Sequence, residues 1–240
     1  MDKDTIYSMP LAKVGDFRFD EQVVQVFPDM IERSVPGYGS ILSMIGELAA
    51  RYVGEGSHVY DLGCSLGACT KVIRGRIPAN CHIHAIDSSQ AMIESLRRAL
   101  EPSEDLATVE VEKADIRDVT IDKASLCVLN FTLQFIAPEG REALLERIFH
   151  GLNLGGALVL SEKICFPQEN QQELLTDLHH SFKRANGYSD LEIAQKRTAL
   201  EKTLIPETLE THLKRLERVG FSVATCWFQC FNFVSILAIK

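Results

Sequence analysis

From residue 58 onwards, short continuous runs of apolar residues alternate with segments in which apolar residues recur every three or four positions. Continuous runs of this length are typical of parallel strands buried on both faces, and the wider spacing is typical of helices. The pattern therefore predicts alternating strands and helices. The predicted strands are 58–62, 82–86, 107–113, 124–129 and 158–161, and the predicted helices between them are 68–77, 90–100 and 141–151.

The first 40 residues do not follow this alternation. A helix is predicted over 21–27, with Asp20 as its N-cap and Pro28 interrupting it. Apolar residues at helical spacing predict a second helix over 41–52, which leads into the first strand. The segment 1–40 is expected to form a collar that packs on the domain or a lid that closes over a ligand, and the sequence favours neither.

The C-terminal part of the chain also changes pattern. Residues 165–218 are mainly helical and polar, and we expect them to form a helical insertion. The runs 223–228 and 233–239 are strand-like and close enough to form a hairpin. Together these patterns predict one α/β domain over 1–240, with a mostly parallel sheet, a C-terminal antiparallel hairpin and helices on both faces.

Composition and charge limit the classes of partner. No apolar run approaches the roughly 18 residues of a membrane span, and the N-terminus lacks a secretory pattern, so we expect a cytoplasmic protein without membrane contact. The formal net charge of −8 disfavours direct binding of nucleic acid. The seven cysteines lack zinc-like spacing, so free buried thiols and no metal site are expected.

Residues 59–69 combine a buried strand, a turn with two glycines and the start of a helix. A turn of this kind after the first parallel strand lets a ligand approach backbone N–H groups at a helix N-terminus. Three sequence motifs overlap at this turn.

Two of these motifs fit poorly. Gly63-x-Ser65-x-x-Ala68 is a degraded dinucleotide fingerprint, because serine stands where glycine would let the backbone touch a pyrophosphate. Gly63-x-Ser65-x-Gly67 matches the nucleophile elbow of α/β-hydrolases, which also need an acid and a histidine at later strand ends. The candidate histidines instead fall on predicted helices. They are His150, His179, His180 and His212.

The third motif fits better. The run DLGCSLG at 61–67, followed by Asp87 at the end of the next strand, resembles the Rossmann-like fold of S-adenosylmethionine-dependent methyltransferases, which has a seven-stranded sheet. In that fold the acid after the second strand binds the ribose hydroxyls, and the acid after the third strand, here Asp115, lies beside the adenine. An aspartate at such a position is also a common helix N-cap. Acids at two successive strand ends after a glycine turn favour the ligand role.

Seven further segments, spread over nearly the whole chain, carry a narrower resemblance. They are 27–31, 33–38, 60–65, 129–135, 182–188, 195–197 and 227–233. The chain resembles the carboxy-S-adenosyl-L-methionine synthase family. Members of that family convert S-adenosyl-L-methionine and prephenate into carboxy-S-adenosyl-L-methionine and phenylpyruvate. A downstream partner enzyme uses this product to carboxymethylate the wobble uridine of tRNA.

The resemblance implies a set of site residues. Arg197 is expected to bind the transferred carboxylate, because a bidentate guanidinium distinguishes a carboxylate from a methyl group. Arg197 and Tyr38 are the implied catalytic residues. At position 88 the family usually has asparagine, where this chain has serine. The implied contacts to the cofactor are Tyr38, Gly63, Cys64, Ser65, Asp87, Ser88, Asp115, Ile116, Asn130 and Arg197.

Prephenate is a dianion, so cationic side chains are expected around it. The candidates are Arg197 first, then Lys183, Arg184 and Arg33. The hairpin and the helical insertion are expected to form a homodimer surface, and the sequence leaves open whether Arg197 acts in its own or in the neighbouring subunit.

No nucleophile–base pair is evident, and the implied chemistry does not require one. Prephenate gains an aromatic ring when it loses carbon dioxide and its hydroxyl group, and the departing hydroxide can take a proton from the methyl group of the cofactor. The alternatives are an ordinary S-adenosylmethionine-dependent methyltransferase acting on a small molecule, and a non-catalytic cofactor-binding protein.

Overall fold

Seven strands form one sheet in the computed structural model, which describes residues 2–240. The strands are β1 (His58–Leu62), β2 (His82–Asp87), β3 (Thr108–Lys113), β4 (Ala124–Asn130), β5 (Leu152–Lys163), β6 (Val223–Cys230) and β7 (Phe233–Ile239). Their order is β3-β2-β1-β4-β5-β7-β6. Neighbours among β1–β5 pair in parallel, whereas β7 pairs antiparallel with both β5 and β6. The predicted mostly parallel sheet with a C-terminal antiparallel hairpin is confirmed.

Helices cover the sheet and fill the long connections. They are α1 (Glu21–Ser34), α2 (Tyr38–Tyr52), α3 (Ala68–Arg74), α4 (Gln90–Ala99), the 3₁₀ helix Leu133–Phe135, α5 (Pro138–Gly151), α6 (Glu169–Ala185), α7 (Asp190–Leu200) and α8 (Leu209–Val219). The stretch between β5 and β6 holds α6, α7 and α8, as the helical pattern there predicted.

The two faces of the sheet carry separate hydrophobic clusters. On one face, Ile45 of α2 and Ile73 of α3 pack against the strands, and on the other face Leu145 of α5 and Leu216 of α8 do so. Every residue of 126–129 in β4 is fully buried, and successive side chains alternate between the two clusters. The strand β4 is apolar throughout this run because it lies in the middle of a sheet that helices cover on both faces.

The helix α1 differs from the prediction at Pro28. Asp20 caps it as expected, because its side chain accepts two backbone N–H groups of the first turn. The helix nevertheless continues through Pro28 for six more residues. A proline inside a helix removes one backbone hydrogen bond. Burial of Val26 and Met30 on the inner side of the helix compensates for that loss.

Two other boundaries differ from the predicted ones. The helix α2 begins at Tyr38, directly after Gly37, which takes the left-handed φ of 76°. The strand predicted over 158–161 begins earlier, at Leu152, so that Gly155 and Gly156 lie inside β5, where the pairing with β4 shifts register. A side chain at Gly156 would press on the carbonyl oxygen of Ala124, so the glycine permits the irregular pairing.

Within residues 2–240, no helix combines the length and the apolar character that crossing a membrane requires. All seven cysteines fall inside this described range and are free thiols. Four of them are buried and three are partly buried, so the prediction of buried thiols holds for the four.

Candidate functional site

A cavity of about 960 Å³ opens at the carboxyl ends of β1, β2, β4 and β5. The strand order reverses between β1 and β4, and ligands of open α/β sheets bind at such a point. The volume lies near the upper end of the roughly 300–1,000 Å³ found for small-molecule sites. The cavity therefore has room for a ligand larger than one small metabolite.

The glycine turn after β1 forms one wall of the cavity. The backbone N–H groups of Gly63 and Cys64 both donate to the carbonyl oxygen of Ile86, at 2.8 and 2.9 Å. Gly63 has a φ of 82° and lies against the side chain of Thr132, so a larger residue would not fit there. The turn is thereby fixed to β2 and presents backbone to the cavity.

Asp61 lies beneath this turn and lines the cavity while only 1% of its surface is exposed. Burial raises the pKa of its carboxyl to about 6, against the opposing effect of a hydrogen bond that the Thr70 hydroxyl donates at 2.5 Å. Asp61 is therefore mostly ionised at neutral pH. A buried carboxylate at a cavity wall is suited to bind an ammonium group.

Asp87, the last residue of β2, joins two loops. Its two oxygens accept the backbone N–H groups of Ser65 at 2.9 Å and of Ser89 at 2.8 Å. Burial raises the pKa of Asp87, and these backbone hydrogen bonds oppose the rise. Ser89 caps α4, because its side chain accepts the backbone N–H of Met92.

Asp115 follows β3 and also lines the cavity. Both oxygens of its carboxylate accept hydrogen bonds from the guanidinium of Arg117, and these bonds hold its pKa below the ordinary value. The neighbouring Ile116 is buried at the same wall. An ionised acid beside an apolar side chain suits an aromatic ligand with polar edges.

Asn130 ends β4 and lines the cavity, and its Oδ1 atom has no hydrogen-bond partner within residues 2–240. Buried acceptors without partners are rare, so this atom favours a ligand that donates a hydrogen bond. Tyr38 lines the cavity nearby, with its ring centroid 6.4 Å from that of Phe131. Burial raises the pKa of Tyr38, so its phenol keeps the proton.

Positively charged side chains cluster on the side of the cavity formed by β5, α6 and α7. Lys163, Lys183 and Arg197 line this side together with His179 and His180. Burial, reinforced by Lys163, lowers the pKa of His179 to about 3, so this imidazole is neutral. Burial and two neighbouring lysines lower the pKa of Lys183 to about 7. The charge distribution makes this end of the cavity suited to anions.

Aromatic side chains close the cavity on the N-terminal side. Phe19 makes edge-to-face contacts with Phe17, Phe27 and Phe135, at ring-centroid distances of 5.1, 5.9 and 5.4 Å. All four rings line the cavity. They form an apolar wall that limits the access of water to the centre of the site.

The N-terminal segment also holds α7 in place. The side chain of Gln195 accepts one backbone hydrogen bond from residues 7–11 and donates two. Asp4, which is 1% exposed, accepts a hydrogen bond from the Tyr188 hydroxyl at 2.6 Å and pairs with Lys196 at 3.5 Å. The position of α7, and of the cations it carries, thus depends on the first residues of the chain.

Comparisons with known proteins give this arrangement a family. A family model described as a methyltransferase domain matches residues 59–156. The chain is 59% identical over 239 residues to carboxy-S-adenosyl-L-methionine synthase of Trichlorobacter lovleyi, an alignment that covers 99% of this chain and 98% of that relative. The protein of the same name from Escherichia coli O1:K1 / APEC is 56% identical over 239 residues, covering 99% and 97%. The chain belongs to the carboxy-S-adenosyl-L-methionine synthase family.

Solved structures support the fold at much lower identity. Human N-acetylserotonin methyltransferase in complex with SAM matches with a TM-score of 0.61 and 20% identity, over 92% of this chain and 55% of that one. A SAM-dependent methyltransferase from Aquifex aeolicus matches with a TM-score of 0.58 and 13% identity, over 92% and 99%. The Rossmann-like methyltransferase fold predicted from the sequence is thus confirmed, and as a member of this synthase family the chain is an enzyme.

All ten residues expected to contact the cofactor line this one cavity, and whether each contacts a ligand stays a prediction. They are Tyr38, Gly63, Cys64, Ser65, Asp87, Ser88, Asp115, Ile116, Asn130 and Arg197. Arg197 lines the cavity of its own chain, so no second subunit is required to bring an arginine there.

Two of the cations expected around prephenate do not line the cavity. Arg33 pairs with Asp29 at 2.9 Å, and Arg184 pairs with Asp190 at 2.7 Å on the outer surface. Lys183 does line the cavity, as expected.

Sequence reasoning missed Lys163 and assigned no ligand role to Asp61. The predicted fifth strand ended at residue 161, whereas β5 continues to Lys163, whose side chain lines the cavity. A charged residue directly after a buried apolar strand was the available signal, and the same signal identified Asp87.

Proposed function

We propose that this chain converts S-adenosyl-L-methionine and prephenate into carboxy-S-adenosyl-L-methionine and phenylpyruvate. One observation carries the proposal. A single cavity joins an acidic end, at the carboxyl ends of β1 and β2, to a cationic end that includes Arg197. The acidic end suits a nucleoside with an amino acid attached, and the cationic end suits a second substrate with two carboxylates.

The acidic end offers partners for each part of S-adenosylmethionine. Asp87 retains free lone pairs for the ribose hydroxyls. Asp115 and Ile116 are placed to lie beside the adenine ring. The unpartnered Oδ1 of Asn130 suits an N–H donor, and the ionised Asp61 suits the ammonium group. The residues present therefore fit this molecule.

Arg197 supports the carboxylated product over a methylated one. Within residues 2–240 its guanidinium has no carboxylate partner, although it lines the cavity. A guanidinium binds a carboxylate through two parallel hydrogen bonds, whereas a methyl group accepts none. We assign to Arg197 the carboxylate that becomes attached to the cofactor.

When bound, S-adenosylmethionine supplies an acidic methyl carbon beside its sulfonium, and prephenate supplies carbon dioxide and a departing hydroxide. The methyl proton and the hydroxide leave as water, and the carbon dioxide becomes bonded to the methyl carbon, so the atoms balance. The chain contributes alignment and exclusion of water, the latter through the phenylalanine wall around Phe19. Tyr38 stays protonated and His179 stays neutral, so neither adds a charge at the centre. The proposal involves no metal ion.

The first test is mass spectrometry of the small molecules released from freshly purified, heat-denatured protein. We expect a species heavier than S-adenosylmethionine by one carbon dioxide. The same species should form when S-adenosylmethionine and prephenate are incubated with the protein, without any tRNA. Release of unmodified S-adenosylmethionine or S-adenosylhomocysteine alone, with no turnover of prephenate, contradicts the proposal and favours an ordinary methyltransferase.

A matched pair of arginine variants sharpens this test. Arg197→Leu should lose most of the affinity for the carboxylated product while keeping affinity for S-adenosylmethionine. Arg184→Leu serves as the control, because Arg184 lies nearby on α6 but pairs with Asp190 on the surface. Equal product affinity in both variants contradicts the assignment of Arg197. A non-catalytic binding protein would show bound cofactor but no loss of prephenate.

The proposal extends to partners and location. We infer a cytoplasmic homodimer that does not itself bind nucleic acid and whose product is used by a separate tRNA-carboxymethylating enzyme. Exposed leucines on α6, Leu174 and Leu178, support a contact between copies of the chain. Light scattering of the purified protein tests this: a molar mass of one chain at micromolar concentration contradicts the dimer.

A further inference from the structure

Most buried cations of this protein have a carboxylate partner. Lys196 pairs with Asp4, and Arg141 and Arg215 both pair with Glu207. Such pairing is the rule, because an isolated buried charge is costly. Cations that break the rule therefore need an explanation.

Lys183 is buried and breaks it, and Lys163, which is partly buried, has no carboxylate partner in the described part of the chain either. Within residues 2–240, neither Nζ atom has a hydrogen-bond acceptor or a carboxylate within ion-pair distance. Lys183 is only 6% exposed, and its ammonium lies 5.2 Å above the ring of Tyr188. Both side chains line the cavity, on the side that also holds Arg197.

The two lysines reach the cavity from two different elements. Lys163 is the last residue of β5, at the sheet edge where the cavity opens, and Lys183 is in the last turn of α6. The charge of Arg197, added to burial, lowers the pKa of Lys163, and Lys163 in turn lowers the pKa of Lys183. Three mutually repelling cations at one wall favour a bound anion with more than one negative charge.

We infer that Lys163 and Lys183 together bind one carboxylate of a small dicarboxylate substrate, while Arg197 binds the other. The inference rests on the proposed function and adds to it an assignment of each carboxylate. The carboxylate at Arg197 is the one lost from the ring and joined to the cofactor. The carboxylate at Lys163 and Lys183 belongs to the 2-oxo acid side chain, which leaves unchanged in phenylpyruvate.

This assignment makes the two lysines specificity-determining residues. They hold a group that takes no part in bond making, so they should act on the binding of prephenate and of phenylpyruvate rather than on that of S-adenosylmethionine. Because both contact the same carboxylate, their effects should be coupled.

The test compares Lys163→Met, Lys183→Met and the double variant with Lys202→Met. Methionine keeps the length and the apolar stem of lysine, and Lys202 is an exposed lysine after α7 that does not line the cavity. Each single change should raise KM for prephenate about 10- to 100-fold, as expected for loss of a charge-assisted hydrogen bond, with the Kd for S-adenosylmethionine within about twofold. The double variant should lose less than the product of the two single effects. Lys202→Met should behave as the wild type.

Two outcomes overturn the inference. One is a wild-type KM for prephenate in both single variants, and the other is an equal loss of affinity for prephenate and for S-adenosylmethionine. Both leave the proposed function intact if the wild-type protein still forms the carboxylated product. If the wild type does not turn over prephenate, the proposed function fails. Calorimetric titration of phenylpyruvate into the S-adenosylmethionine-saturated variants then tests separately whether the two lysines bind its carboxylate. Removal of an unpaired buried cation should not prevent folding, which thermal unfolding verifies.

Discussion

The carboxylate of Asp87 accepts the backbone N–H of Ser65 at 2.9 Å, and so the end of β2 fixes the turn that follows β1. Ser65 has a φ of 50°, a left-handed conformation that a serine adopts at a cost. The hydrogen bond from Ser65 to the partly buried carboxylate of Asp87 stabilises that conformation. The acid expected to bind the ribose therefore also shapes the turn along which the cofactor lies.

Replacement of Asp87 by alanine should weaken S-adenosylmethionine binding by about 10- to 100-fold, because a charge-assisted hydrogen bond in a buried site is worth roughly 1.5–3 kcal/mol. The loss should exceed that in Asp87→Asn, which keeps one acceptor oxygen. Isothermal titration calorimetry measures both. Asp118→Ala, an exposed acid after β3, is the control. Wild-type affinity in Asp87→Ala would show that the cofactor does not use this acid.

Gly63 provides a second, steric test of whether the cofactor binds along the turn after β1. Its φ of 82° and its contact with Thr132 leave no room for a Cβ atom. We expect Gly63→Ala to abolish measurable cofactor binding and to destabilise the fold by about 1–2 kcal/mol or more, since a left-handed alanine is strained. Gly54→Ala, where a Cβ would meet nothing within 4 Å, should leave both properties unchanged. Cofactor titration and urea unfolding check the pair, and tight binding by Gly63→Ala would place the ligand elsewhere.

Sequence patterns predicted the sheet because its signals are local. The apolar run 124–129 and the acid Asp87 follow from burial and strand-end position, which a linear pattern contains. Other features depend on tertiary contacts. The continuation of α1 through Pro28 depends on packing, and the convergence of Lys163 with Lys183 depends on how β5 and α6 meet in space.

Gln195 allows a test of whether the N-terminal segment positions α7. Its side chain makes three hydrogen bonds to backbone groups of residues 7–11, at 2.7 to 2.9 Å. Gln195→Ala should cost about 1–3 kcal/mol and should speed amide exchange in 7–11. Hydrogen-exchange mass spectrometry measures it, with Thr198→Ala, an exposed residue of the same helix, as control. Unchanged exchange in 7–11 would mean that other contacts, such as those of Asp4, hold the segment.

Glu207 provides a test of stability against acid. Burial opposes its ionisation, but hydrogen bonds from Arg215 and Arg141 lower its pKa to about 2. Because the folded pKa lies below the ordinary value of 4.5, this stabilisation is complete above about pH 4.5 and is lost as the pH falls towards 2. Glu207→Gln should therefore lower the urea midpoint clearly at pH 7 and much less at pH 3. If the difference in urea midpoint between the wild type and Glu207→Gln stays constant with pH, packing and not charge accounts for the loss of stability.

Lys183 should reduce the stability of the ligand-free protein while serving its substrate. Burial and neighbouring cations lower its folded pKa to about 7 from the ordinary 10.5, so between these values the unfolded chain binds more protons. The penalty is full below pH 7 and disappears as the pH rises towards 10.5. The groups that act on Lys183 are Lys196, Lys163, Asp4 and Glu192, and His179 and His180 also lie beside it.

Lys183→Met should therefore be more stable than the wild type in urea unfolding at pH 7. The free energy of unfolding should rise by on the order of 2–4 kcal/mol at pH 7 and by less at pH 9.5. Lys202→Met should show no such change. If Lys183→Met is less stable than the wild type at pH 7, its ammonium has a partner in the folded chain and is not held there for a substrate.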